Sequence, residues 1–251
     1  MKTKKRDFSV LDKFKFERKP IGIKYLPVRP EGIRVLDKTL NWCEMLKEAQ
    51  ENKPFYVTPD NWHCVEPFLL GFVDPEPIYI SGLFGGEEGI FAEPRANRQL
   101  YNHLPMFKKG SVKYVAMGPV SDLPFDPDVL VITATIQQAP TVIRACNYST
   151  GEVITSKVTP VVACSWIMIH PAITGEMNYV ITGLGLGMQA LNIFPAGLFL
   201  ISIPWQRLPQ ALENLAAIEY HEGPPHPGPG GEAHRARVEL FKQELRRRME
   251  A

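Results

Sequence analysis

The sequence predicts a mixed α/β fold of the α+β kind, one domain in which a mixed sheet is flanked by helices, followed by a tethered C-terminal amphipathic helix. Three observations lead there. Short β-branched, apolar runs such as Asp128–Thr133 alternate irregularly with stretches of helical period. Prolines, 23 in 251 residues, fall between those runs throughout, which favours many short elements over a helical bundle. The densest Pro/Gly cluster, 223–231, can be neither helix nor interior strand, because proline lacks the N–H donor and glycine loses too much entropy. It divides the chain into a cysteine-containing domain at 1–222, a linker at 223–232 and the amphipathic helix at 233–251.

Taken in order, Asp7–Lys19 offers Phe8, Leu11, Phe14 and Phe16 as the contacts of a short helix, and Ile21–Leu26 alternates as a strand. Apolar residues recur every three to four positions from Arg34 to Gln50, which predicts a helix with Cys43 on or beside its buried stripe. Phe55–Val57 reads as a strand that turns at Thr58–Asn61 and leads into Trp62-His63-Cys64. Ile78–Ile80, Val112–Met117 and Asp128–Thr133 are strand candidates, with a helix over Glu93–Tyr101 between the first two. A helix ends near Tyr148, Val158–Ile169 is β-rich and carries Cys164, and Tyr179–Thr182 and Leu198–Ile203 complete the strands. A helix follows over Trp205–Glu219. The terminal helical pattern, Glu232–Met249, places Val238, Phe241, Leu245 and Met249 on one side and basic residues on the other.

Bulk properties remove several classes of function. A net charge of +1 gives no field favouring nucleic acid or a membrane surface, so neither is expected as a partner. The basic N-terminus lacks the apolar stretch of a secretory signal, and the best apolar run, Gly197–Pro204, is far too short to span a bilayer. A cytoplasmic location is expected, and in that reducing compartment structural disulfides are not. No Walker loop, HExxH helix, nucleophile elbow or kinase signature occurs.

Four cysteines remain as the candidate chemistry: Cys43, Cys64, Cys146 and Cys164, far apart and without a CxxC pair. Such thiols are either buried apolar residues or ligands gathered by the fold. Gly185-Leu186-Gly187-Met188-Gln189-Ala190 formally fits a dinucleotide fingerprint, but Pro195 and Gly197 cut the following helix short and no acid stands near Ile203–Gln206. Gly185 and Gly187 are instead candidate cofactor-binding positions, where a bare backbone can approach a ligand closely. His63 could ligate beside Cys64 or cap its loop.

Several of these segments together resemble the family catalogued as domain of unknown function 169, found mostly in archaea and anaerobic bacteria. The resemblance runs over roughly residues 8–220. It rests on Lys19-Pro20-Ile21-Gly22-Ile23-Lys24, the helix bearing Cys43, Cys64 followed by Leu69-Leu70-Gly71, Pro127–Ile132 with Gln138, Cys164, and Ile201-Ser202-Ile203-Pro204. It implies that Cys43, Cys64 and Cys164 occupy family cysteine positions. This chain departs from the family where Val65-Glu66-Pro67 replaces a glycine-rich run and where Thr182–Gly187 lacks the thiol of a Pro-Cys-x-Gly-like turn. Cys146 is not a typical family position.

Scattered thiols, together with the anaerobic company that the resemblance implies, lead to the expectation of an iron–sulfur protein of anaerobic metabolism. Widely spaced thiolates suit a cluster, here of the 4Fe–4S type, better than a zinc knuckle. Cys43, Cys64 and Cys164 would be its ligands, with Cys146 or a non-protein group completing the set, and its role would be redox or Lewis-acid chemistry on a small-molecule substrate. The alternative is a metal-free small-molecule-binding or accessory protein whose cysteines fill the core. The C-terminal helix must cover its apolar side, by folding back or by docking on a second copy or a larger complex.

Overall fold

A computed structural model describes residues 6–220 and 232–250. Among these, seven strands form one sheet: β1 (Ile21–Leu26), β2 (Arg34–Val35), β3 (Phe55–Val57), β4 (Tyr114–Pro119), β5 (Val129–Ala134), β6 (Asn178–Ile181) and β7 (Phe199–Pro204). Their spatial order is β2-β3-β4-β1-β5-β7-β6. Only β2 and β3 run parallel, so the sheet is mixed, as the sequence predicts. The described residues also form eleven helices: α1 (Trp42–Glu51), α2 (Glu66–Leu69), α3 (Pro77–Ile80), α4 (Leu83–Glu87), α5 (Pro94–Tyr101), α6 (Ala139–Ala145), α7 (Ala163–Met168), α8 (His170–Thr174), α9 (Leu186–Ala190), α10 (Leu208–Ala217) and, in a separate unit, α11 (Glu232–Glu250). A short 3-10 turn at Ser9–Phe14 precedes β1.

Every residue of β5 is buried, which explains its unbroken apolar run: both faces are covered. Ile21, Ile23, Val129, Val131, Met117 and Leu200 share one face with Cys43 and Leu46 of α1 and with Cys164 and Ile167 of α7 in a single apolar core. Gln50 of α1 donates to Thr133 Oγ1 at 2.6 Å, fixing that helix to β5. On the other face lie α6, α10 and the 3-10 turn. There Gln138 donates to Phe14 O, Asn214 donates to Ala145 O, and Lys13 Nζ donates to the carbonyls of Leu215 and Ile218. Both sheet borders are short or shielded. β2 has two residues, and β6 is flanked by the segment before α7 through Lys157 N to Asn178 Oδ1, Asn178 Nδ2 to Lys157 O, and Ser156 Oγ to Tyr179 O.

Three expected elements differ. Ile78–Ile80, expected as a strand, is the helical turn α3; Pro77 at its first position presets the helical φ, and the three-residue run has no strand beside it. The β-rich run Val158–Ile169 is extended only at its start. Val162 takes a left-handed φ of 56°, and Ser165 bonds back to Val162 O through both its N–H and hydroxyl, launching the buried helix α7. A short apolar run cannot distinguish buried strand from buried helix by period. The helix expected from Arg34 begins at Trp42, because Asn41 caps it with Glu44 reaching back to its N–H at 2.8 Å, while Arg34–Val35 pair with β3. The chain separates into two units, Met1–Ile218 and Glu219–Ala251. Within the second, α11 carries the ion pairs Glu239–Lys242 and Glu244–Arg248. The expected linker 223–232 lies outside the described residues except for its last position.

Gly22 and Gly118 face each other across β1 and β4, on the side away from α1. A Cβ at Gly118 would stand 2.7 Å from the Pro54 Cα, and one at Gly22 would stand 2.5 Å from Leu123 Cδ1. The first clash is with backbone, which no rotamer relieves. Gly118→Ala is therefore expected to lower unfolding free energy by about 1–3 kcal/mol in urea denaturation; an unchanged midpoint would mean the Pro54 segment yields freely.

Candidate functional site

Cys64 reaches α1 through a two-residue bridge. Leu40 N donates to Asn61 O at 2.8 Å and His63 N donates to Leu40 O at 3.1 Å, pairing the residues before α1 with the turn after β3. Asn61, buried, holds the opposite side by donating to Leu36 O and Lys38 O. The chain then delivers Cys64 beneath the start of α1, where Trp42 N donates to its Sγ at 3.3 Å. Two residues on, Glu66 opens α2 and points inward, only 4% exposed. Cys164 approaches from α7. Opposite it, Leu186 N donates to Pro160 O at 2.8 Å and holds the Gly185–Gly187 turn against the segment leading into α7.

These pieces close around a cavity of about 90 Å³ whose walls include Cys43, Cys64, Cys164, Glu66, Gly185 and Gly187. Three of the four expected cysteines and both expected glycines therefore meet in one place. Gly185 packs so closely on Ala163 that a Cβ would lie 3.1 Å from its methyl, whereas a Cβ at Gly187 would meet no atom within 4 Å. The helix following them, α9, has five residues, too short for a dinucleotide fold.

Cys146 is not in this cavity. It caps the C-terminus of α6, where its thiol faces Val142 O at 3.6 Å and burial pushes its pKa up to about 12. His63 is exposed and stands outside the cavity, and His170 is buried beside Glu176 at 3.4 Å. Among the described residues no group of three or more His, Cys, Asp or Glu side chains is arranged to hold a metal ion. Among the described residues, a larger groove of about 600 Å³, along the 3-10 turn, Lys19–Pro20 and Val120–Ser121, contains neither thiol nor imidazole.

The cavity's electrostatics are those of acids crowded together out of water. Cys164 donates to the Cys43 sulfur, which lowers the Cys43 pKa and raises that of Cys164 well above its ordinary value. Burial, then the charge of Glu66, push the Cys64 thiol up strongly. Burial likewise raises Glu66, and the Cys64 side chain beside it offsets part of that rise. Glu66 Oε2 is buried without a hydrogen-bond partner, as is the Nε1 of Trp42 on the same cavity. An unpaired buried carboxylate oxygen costs about 1–3 kcal/mol or more, so the cavity is suited to an occupant that offers it a proton or a positive charge.

Sequence reasoning noticed Glu66 only as a departure from the family's glycine-rich run. The available signal was a lone acid inside the otherwise uncharged Cys64-Val65-Glu66-Pro67-Phe68-Leu69-Leu70, a run whose last three residues are buried.

Two outcomes follow. Removing the donor to Cys43, by Cys164→Ala, is expected to raise the Cys43 pKa and slow its alkylation at pH 7.5 several-fold, read by mass spectrometry of metal-free protein. Glu66 has a folded pKa above its unfolded 4.5, so the stability it permits is fully present below that value and declines as pH rises through the folded one. Glu66→Gln is therefore expected to stabilise the metal-free protein at pH 8, on the order of 1 kcal/mol, with the gain vanishing toward pH 4; a pH-independent difference would contradict this.

No curated protein and no solved structure matches the chain. A match to one family covers residues 10–214, a span that contains the whole thiol cavity. On that match the chain belongs to the DUF169 family, described as uncharacterised ArCR.

Proposed function

We propose that the chain is a cytoplasmic protein of anaerobic metabolism that holds an iron–sulfur cluster in the thiol cavity through Cys43, Cys64 and Cys164. The observation that carries this reading is the convergence of three thiols, from three separate segments, on one cavity that also contains an unpartnered carboxylate oxygen. The donor set fits the group: soft thiolates are the ligands of such clusters, and thiols distributed round a cavity of about 90 Å³ suit an object larger than one ion. Cys146, sited on α6, is not part of this ligand set, which leaves Glu66 or a non-protein group for the fourth position. When bound, the cluster would supply either electron transfer or a Lewis-acidic iron.

The chain's own residues prepare the pocket. Cys64 and Cys164 are held as thiols and must lose their protons on loading, so uptake releases acid and weakens as pH falls. The Trp42 N–H already points at the Cys64 sulfur, where it would stabilise a thiolate and tune its basicity. Cys43 and Cys164 are buried in the apolar core, and Cys64 is half-buried against it.

A second reading has its own observation. Cys43 and Cys164 are members of the contiguous apolar core and hydrogen-bond each other, as core residues of a metal-free binding or accessory protein would. One experiment separates the two. After reconstitution with ferrous iron and sulfide without oxygen, the protein is expected to turn brown and carry both elements. Cys43→Ser, Cys64→Ser and Cys164→Ser are each expected to lose the colour and Cys146→Ser to keep it. A colourless, metal-free product would overturn the cluster and favour the second reading.

A further inference from the structure

Cys64 has a second side. Away from the thiol cavity it lines an open pocket of about 290 Å³, enclosed by the turn after β3, by α2 and by the segment 73–79 that runs into α3. Three aromatic rings, Trp62, Phe68 and Tyr79, form its walls, and two carboxylates, Asp74 and Glu76, stand at its mouth. Among the described residues no lysine or arginine lines it, and its one basic side chain is the His63 imidazole.

The two carboxylates are not equivalent. Asp74 is paired with Lys109 at 2.5 Å, both groups well exposed, so its charge is already answered. Glu76 directly precedes α3, yet its side chain caps nothing. Among the described residues its carboxylate takes part in no hydrogen bond or ion pair. Trp62 is held in place by donating Nε1–H to Thr58 O at 2.7 Å and by edge contacts with Trp42 and Phe72 at 5.4 and 6.0 Å. The pocket thus presents preset aromatic surface beside one unanswered negative charge. Ring faces attract cations, and a carboxylate beside them supplies the counter-charge.

We propose that this pocket binds a small organic cation, an amine or quaternary ammonium, against Trp62 and Tyr79 with Glu76 as its counter-ion, and so seats it beside Cys64. Its volume lies at the lower end of ligand pockets, roughly 300–1,000 Å³, which restricts the ligand to a small molecule. The proposal does not depend on what the thiol cavity holds.

Calorimetric titration of the full chain with tetramethylammonium, tert-butanol and acetate, at one pH and ionic strength, tests it. Saturable binding of tetramethylammonium alone is expected. Glu76→Gln is expected to weaken that binding about tenfold. Asp74→Asn, whose carboxylate is already paired, is expected to change it less than threefold. Both positions are exposed, so the variants should fold, and circular dichroism checks that they do. Equal binding of tert-butanol, preferential binding of acetate, absence of binding, or an undisturbed affinity in Glu76→Gln would each overturn the proposal. Iron and sulfide content, measured on samples reconstituted without oxygen, reports separately on the cluster: protein that stays metal-free after reconstitution yet binds tetramethylammonium sinks the cluster and leaves the cation site standing.

Discussion

Between Leu40 and Trp62 the backbone makes a bridge of two hydrogen bonds, and the placement of the whole site follows from it. The bridge joins two segments of otherwise irregular chain, one entering α1 and the other leaving β3. With it in place, Asn61 can saturate the Leu36 and Lys38 carbonyls, Cys64 falls under the first turn of α1, and Glu66 can begin α2 facing inward. Backbone polar groups in a buried loop must be paired, and this bridge pairs them at the one point where two loops cross. The thiols of Cys43 and Cys64, separated by a strand and a turn, share a cavity because of it.

Much of the fold was legible in the sequence because its strands are read by composition alone. β1, β3, β5 and β7 are apolar, β-branched and bounded by turn residues, and they lie where those runs lie. The sequence misled where period was ambiguous or a local contact decided. Nothing in Val158–Ile169 announces that Val162 turns left-handed, and in Arg34–Gln50 the start is marked by the capping box of Asn41 and Glu44, which apolar period alone passes over. The site was legible only in part, for a related reason. Resemblance to a family marked Cys43, Cys64 and Cys164, and the fold brings them together. Glu66 and the outer pocket depend on contacts between segments distant in sequence, which no window of residues contains.

Four acids around one largely buried cavity constrain one another. Cys43 is the one whose ionised form is favoured; burial raises Glu66, burial and then the charge of Glu66 raise Cys64, and its bond to Cys43 and then burial raise Cys164. A second negative charge placed there would be close to the first with little water between them. The cavity therefore resists further ionisation until positive charge enters. Any binding of a cationic centre there would be coupled to deprotonation.

The borders of the sheet carry a consequence for how copies of this chain can meet. A long bare strand at a sheet margin invites another chain to continue the ladder. Here one margin is the two-residue β2, and the other, β6, is screened by bonds from Ser156, Lys157 and Asn178. Neither offers a row of free N–H and C=O groups long enough to template a partner strand. Self-association by running one sheet into the next is thereby discouraged, and any assembly of this domain must be built from side-chain surfaces instead.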